Sequence, residues 1–337
     1  MKKKFDIKKI ATVAGLGLLL CIGLVFFILN LPLQQAHQMP VFGATFSTKY
    51  AESLGIDWRA AYVASLDDLG IREFRIPAYW DRTEPVKDNY NFSDLDFQLD
   101  QAAARHAKVL LAVGRKLPRW PECHEPDWVH ALNDDDQREV ELMAYLKAVI
   151  LRYKNHPAVY ALQVENEPFF PFGNCPKIFR AGILSREIAW VRGLDATHQV
   201  VVTDSGEWSP WVNIAPFADI IGVSMYRESW NNWFGRVYFP IGPGYYQAKA
   251  DLVHDIGKQV FVTELQVEPW GPLSVQQMTL DQMHQYFPLS KMFDNISFAR
   301  KVGFDKVYVW GIEWWYRVRE LGDSTYWDRG REIFKGP

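Results

Sequence analysis

A chain of 337 residues, 48% hydrophobic and 23% charged, has the composition of a globular protein with a substantial core and excludes a disordered one. Its formal net charge is −3 and its Lys and Arg residues are scattered, so there is no basic stripe for a phosphodiester backbone and no nucleic-acid partner is expected. The 14 Trp, 15 Tyr and 21 Phe are unusual, and many fall in segments that read as loops.

Residues 1–9 carry five lysines and precede an uncharged stretch, 10–29, about long enough for a bilayer core of roughly 30 Å. The positive-inside tendency holds the lysines in the cytoplasm and puts everything after Leu33 outside. The expected organisation is a transmembrane signal anchor over 1–33, a short linker over 34–40 and one extracytoplasmic body over 41–337. Secretion after signal cleavage is the competing account, but a signal peptide has an apolar region of about 7–15 residues, and residues 31–38 offer no small-x-small cleavage site. Cys21 lies inside the apolar run. Cys123 and Cys175 remain for the outer body, where an even count in an oxidising compartment is compatible with a disulfide. Two unpaired thiols, or a zinc site drawing on His124, are the other readings.

From Pro40 on, short β-branched or apolar runs occur at 41–46, 73–77, 108–113, 159–164, 200–204, 220–225, 259–264 and 306–310. Between them, residues 58–68, 95–105, 136–153, 178–193, 245–255 and 290–302 space apolar residues at helical intervals. A weak fifth helix is expected over 210–217 and a short terminal one over 326–334, while Leu69-Gly70 and Val302-Gly303 read as helix stops. Eight strands in alternation with helices predict an α/β fold, a closed (β/α)8 TIM barrel preceded by the transmembrane helix, with chemistry at the carboxyl ends of the strands.

Polar residues stand where that rule asks for them. The fourth strand runs into Glu165-Asn166-Glu167-Pro168 and the seventh finishes at Glu264. Two carboxylates on two strand ends are what glycosidic cleavage with retention needs, one protonated to serve the leaving oxygen and one ionised to attack the anomeric carbon. Asn166-Glu167-Pro168 together with Glu264 resembles the signature of glycoside hydrolase clan A, the retaining barrel enzymes that include cellulases, mannanases, xylanases and β-galactosidases. Arg75 in Phe74-Arg75-Ile76-Pro77 is similar to the clan's arginine beneath the nucleophile, Tyr226 to its tyrosine partner and Trp310 to its sugar-platform tryptophan. Residues 79–85 followed by 90–93 are similar to a motif of the second barrel unit in several of its families, so the likeness spans about 41–316.

The resemblance implies that Glu167 is the general acid/base, kept protonated by partial desolvation, and that Glu264 is the nucleophile, held ionised by Arg75. It also implies that Asn166 contacts the sugar 2-hydroxyl. Glu165 and Glu268 are rivals by closeness in sequence, and Asp204, Glu207 and Glu313 read as sugar contacts or ordinary loop charges. Trp80, Trp120, Trp208, Trp211, Trp230, Trp233, Trp270, Trp310, Trp314 and Trp315 follow strand ends, where flat rings suit pyranose faces; about half are expected to pack under loops instead. Trp80, Trp310 and Trp314 are the substrate contacts singled out. The expected partner is an oligo- or polysaccharide. No His-x-His, His-Glu-x-x-His, Gly-x-Ser-x-Gly or phosphate loop is present, so neither a cofactor nor a metal is expected. The expected reaction is hydrolysis of a β-linked glycan by double displacement, endo-acting by its long loops. A transglycosylase, a non-catalytic carbohydrate-binding barrel and an envelope scaffold are the alternatives.

Overall fold

The computed structural model describes residues 7–31, 39–175 and 181–334. Eight parallel strands close a barrel: β1 (Val41–Thr45), β2 (Glu73–Pro77), β3 (Lys108–Val113), β4 (Val159–Val164), β5 (Gln199–Asp204), β6 (Ile220–Met225), β9 (Gln259–Gln266) and β10 (Lys306–Trp310). Between β6 and β9 stands an antiparallel hairpin, β7 (Glu228–Asn231) and β8 (Gly235–Tyr238), outside the barrel. The barrel strands read as nearly unbroken apolar runs because the crossover helices cover their outer side, so both faces are dry.

Inside the barrel the layers differ in chemistry. Leu110, Ala161, Val201, Ile220, Phe261 and Tyr308 form a separate apolar cluster. Two residues further along β4, Gln163 accepts from Arg75 Nε at 2.7 Å, so a charged layer lies above this cluster toward the carboxyl ends of the strands. Helix boundaries follow local capping. The Asp57 carboxylate accepts from the amides of Arg59 and Ala60 at the start of Trp58–Asp67, and Asp134 caps Asp135–Tyr153. Gly303, with φ 78°, closes Leu289–Val302 in the left-handed conformation that glycine adopts without strain.

Two expectations change. Residues 210–217 form turns rather than a helix: Trp211 has φ 64°, and its buried indole donates to Ser205 O at 3.0 Å, which fixes the chain in a turn. The seventh barrel strand continues to Gln266, two residues past its expected end. Residues 34–38 of the expected linker, 178–180 of the fourth expected helix and 1–6 of the lysine cluster lie outside the described residues. The amino-terminal helix, Ile7–Asn30, contains an apolar window, Ala11–Ile28, of mean hydropathy 2.6, with none of it buried against the barrel. It is long and apolar enough to cross a membrane, as a signal sequence would also be. Its last residue, Asn30, accepts from the Gly242 amide at the foot of helix Pro243–His254.

Candidate active site

The carboxyl ends of the barrel strands open into a cavity of about 890 Å³. Glu167 and Glu264 both line it, from β4 and β9. Glu264 owes its direction to a β-bulge. β9 pairs Val262 with Val223 and then Glu264 with Ser224, and on its other side Val262 with Val307 and then Leu265 with Val309. One extra residue therefore sits in β9 between both neighbours, and the alternation that sends Phe261 inward is reset so that Glu264 turns into the mouth. Thr263 uses its carbonyl to accept from Thr45 Oγ1 at 3.1 Å and Arg75 Nη1 at 3.3 Å.

Arg75 is fully buried and binds the floor of the site together. Its guanidinium donates to Glu264 Oε1 at 2.9 Å, to Asn166 Oδ1 at 2.6 Å and to Gln163 Oε1 at 2.7 Å. Tyr226 donates to the other Glu264 oxygen at 3.2 Å. Glu264 is thus braced by one cation and one hydroxyl, one at each oxygen.

Glu167 is held by backbone rather than by a cation. After β4 the chain turns through Glu165 and Glu167 at φ 60° and 44°, a conformation that non-glycine residues adopt at a cost. The turn is fastened by Glu165 N to Val113 O at 2.9 Å, Asn166 N to Lys116 O at 2.7 Å and Glu167 N to Thr203 Oγ1 at 2.8 Å. Burial, then the negative charges of Glu264 and Glu122, push the Glu167 carboxyl well above the usual range, with Lys116 opposing. The two carboxyl groups therefore sit in contrasting surroundings within one cavity.

The remaining candidate residues sort by where their side chains go. Asn166, Tyr226 and Trp310 line the cavity, and Arg75 lies beneath it. Trp80 and Trp314 do not, which corrects their assignment as substrate contacts. Each lies on a helical turn just past a strand, and that turn carries its ring back into the protein: Trp80 stacks on Tyr145 at 5.2 Å and donates to Glu84, while Trp314 packs between Phe287 and Tyr326. Among the other aromatics, Trp120, Trp208, Trp230 and Trp270 line the cavity, Trp211 and Trp315 are buried elsewhere, and Trp233 stands 88% exposed at the hairpin tip. Glu165 is occupied as a brace, accepting from the Arg115 and Lys116 amides at 2.8 and 2.7 Å, and Gly114 makes room for it, since a Cβ there would lie 2.4 Å from its carboxylate. Glu268 and Glu313 bind Arg119. Glu207 lines the cavity and accepts from Tyr246 Oη at 2.6 Å and the Tyr226 amide at 2.7 Å.

Among the site residues not anticipated are Arg119 and Glu122, both on the segment after β3. Arg119 lies between the rings of Tyr50 and Trp310, 3.6 and 3.9 Å from their centroids. Glu122 accepts from Asn166 Nδ2 at 3.1 Å. The one sequence signal was the neighbouring Cys123, which forms a disulfide with Cys175 and ties this segment to the one following Glu167. His124, the alternative zinc ligand, instead meets Lys49 Nζ at 2.9 Å, and no cluster suited to a metal occurs among the described residues.

Residues 58–183 match the family model for β-galactosidases of glycoside hydrolase family 42. β-Galactosidase BgaA of Clostridium cellulovorans is 24% identical over 170 residues, 44% of this chain and 25% of that protein. A probable mannan endo-1,4-β-mannosidase F of Aspergillus flavus is 35% identical over 63 residues, 19% of this chain and 13% of its own length. The chain therefore spans a quarter or less of the curated relatives it matches. Among solved structures, GH5_18 from Streptomyces cattleya superposes with a TM-score of 0.55 at 15% identity, covering 81% of this chain and 70% of that one. The endo-1,4-β-D-mannanase of Thermotoga petrophila gives 0.51 at 14% identity, covering 81% and 88%. Such distant likeness carries the barrel fold, and the family match over 58–183 is a similarity to glycosidases over less than half of the chain.

Proposed function

We propose that this chain is a retaining glycosidase acting on a β-linked glycan, with Glu264 as nucleophile and Glu167 as general acid/base. The observation that carries the reading is the contrast between them in one cavity: Glu264 is braced by Arg75 and Tyr226, while burial and neighbouring anions keep the proton on Glu167. In the first step Glu264 attacks the anomeric carbon as Glu167 protonates the departing oxygen, leaving a glycosyl ester on Glu264. Glu167, now ionised, takes a proton from water, which displaces Glu264 and releases the sugar with its configuration retained. Arg75 and Asn166 order the floor, and Trp310 with Trp270 offers apolar surface to sugar faces. The breadth of the cavity, reaching from Lys49 to Phe239, suits an endo-acting enzyme on a chain longer than one unit.

The amino-terminal helix, in this reading, is an uncleaved anchor over 1–33, joined by a linker over 34–40 to a catalytic body over 41–337 outside the membrane. The test is a screen of aryl β-glycosides and polysaccharides, followed by trapping with a 2-fluoro sugar. The expected label is on Glu264, and Glu264→Gln and Glu167→Gln each lose most turnover. Normal turnover in either variant, or binding of an oligosaccharide with no product on long incubation, overturns the assignment.

A further inference from the structure

Glu122 is a buried carboxylate whose charge helps to keep the proton on Glu167 but to which the proposed hydrolysis gives no contact with substrate. It is 5% exposed and lines the cavity. One of its oxygens accepts from Asn166 Nδ2; the other has no hydrogen-bond partner among the described residues.

The segment around it is built from both sides. Glu122 has φ 75°, and its amide and carbonyl are bound by Arg119 O and Leu117 N, both at 2.8 Å. The next residue is bridged to Cys175, and Asn174 N donates to Pro121 O at 2.9 Å. Gly173, at φ 94°, passes so close that a Cβ there would lie 2.5 Å from Glu122 Cβ, so glycine is what allows the two segments to meet.

Charge in the cavity is unbalanced. Its lining holds Glu122, Glu167, Glu207, Glu264 and Glu268 against the cations Lys49 and Arg119. Both cations are already engaged, Lys49 with Asp81 at 2.5 Å and Arg119 with Glu268 and Glu313. Arg75 serves Glu264 from below. Burial, then the charge of Glu264, push Glu122 up to about 8, with Lys116, the Asn166 amide and Arg75 opposing.

We propose that Glu122 binds an ammonium group at C2 of the sugar whose anomeric carbon faces Glu264, so that the substrate is a β-linked glycan containing free 2-amino sugars. This rests on the reading of Glu264 as nucleophile. The reacting carbon has two ring neighbours, the ring oxygen and C2. The ring oxygen has no proton to give, so the donor nearest the reaction centre is the C2 substituent. Asn166 cannot accept from it, because its carbonyl oxygen is taken by Arg75 and by Thr203 Oγ1 at 3.1 Å, and Glu122 is the acceptor beside it. A 2-ammonium also opposes the positive charge that develops on the sugar as the bond breaks, and a buried carboxylate held against it offsets that repulsion.

The test uses the full chain with matched pairs of aryl β-glycosides and β-linked oligosaccharides differing only at C2: free amine, hydroxyl or N-acetyl, in gluco and galacto configuration. A hydrogen bond to a charged partner corresponds to about tenfold or more in kcat/KM, so the free amine is expected to lead its hydroxyl partner by at least that factor. Glu122→Gln collapses this ratio, and Glu122→Asp, which keeps the charge, restores part of it. Preference for the hydroxyl or N-acetyl member in every pair, or a Glu122→Gln loss equal across the pair, overturns the inference while labelling of Glu264 still upholds the glycosidase. If no substrate is cleaved and Glu264 stays unlabelled, the glycosidase reading falls and this inference with it.

Discussion

Replacing Tyr226 with phenylalanine removes one atom from the bracing of Glu264. Among the described residues the hydroxyl has a single side-chain partner, Glu264 Oε2, at 3.2 Å, and the ring meets Trp270 edge-on at 5.4 Å, a contact that phenylalanine preserves. A hydrogen bond to a charged acceptor contributes roughly 1.5–3 kcal/mol, and 3.2 Å is long for an O–H donor, which puts the loss near the lower bound. About 1.4 kcal/mol is a factor of ten in rate. Glu264 keeps Arg75 but is free to rotate about that single anchor, and the penalty falls on attack rather than on binding. The expectation is a drop of about tenfold in kcat with KM nearly constant, measured by steady-state kinetics on an aryl β-glycoside. An unchanged kcat, or a change carried by KM alone, would refute the role given to this hydroxyl.

Because Glu167 must carry its proton to act, and its carboxyl is held above the ordinary range, kcat/KM should fall on the alkaline side only beyond the usual carboxylate region. Glu122→Gln removes one of the anions holding that proton, so the alkaline limb should move to lower pH; a pH–rate profile that stays in place contradicts the coupling. Cys123 and Cys175 are separated by 52 residues, for which the chain-entropy model gives at most about 4 kcal/mol of stabilisation. Cys123→Ser should therefore lower the denaturant midpoint and depress turnover together, since the bridge joins the segments carrying Glu122 and Glu167; an unchanged midpoint excludes the bridge in solution.

The barrel was legible because its strands are short, mostly apolar runs in alternation with helical segments, and five of the eight expected runs, such as 159–164, coincide with the observed ones. The positions of Glu167 and Glu264 follow from strand ends. The direction of Glu264 does not, because it depends on a bulge set by pairing with β6 and β10, and no local residue announces it. Trp80 and Trp314 show the same limit. Nearness to a strand end placed them at the mouth, whereas the helical turns on which they sit face the packed side. Arg119 and Glu122 escaped notice because their neighbours, Trp310 and Asn166, come from remote parts of the chain.

With Cys123 and Cys175 joined, the only sulfhydryl left to the 337-residue chain is Cys21, solvent-exposed on the apolar helix. Nature has in effect supplied a single labelling handle at the segment whose fate is in question. A maleimide dye applied in detergent to protein isolated from its host should attach once per molecule if that helix is kept, and not at all if a peptidase has removed it.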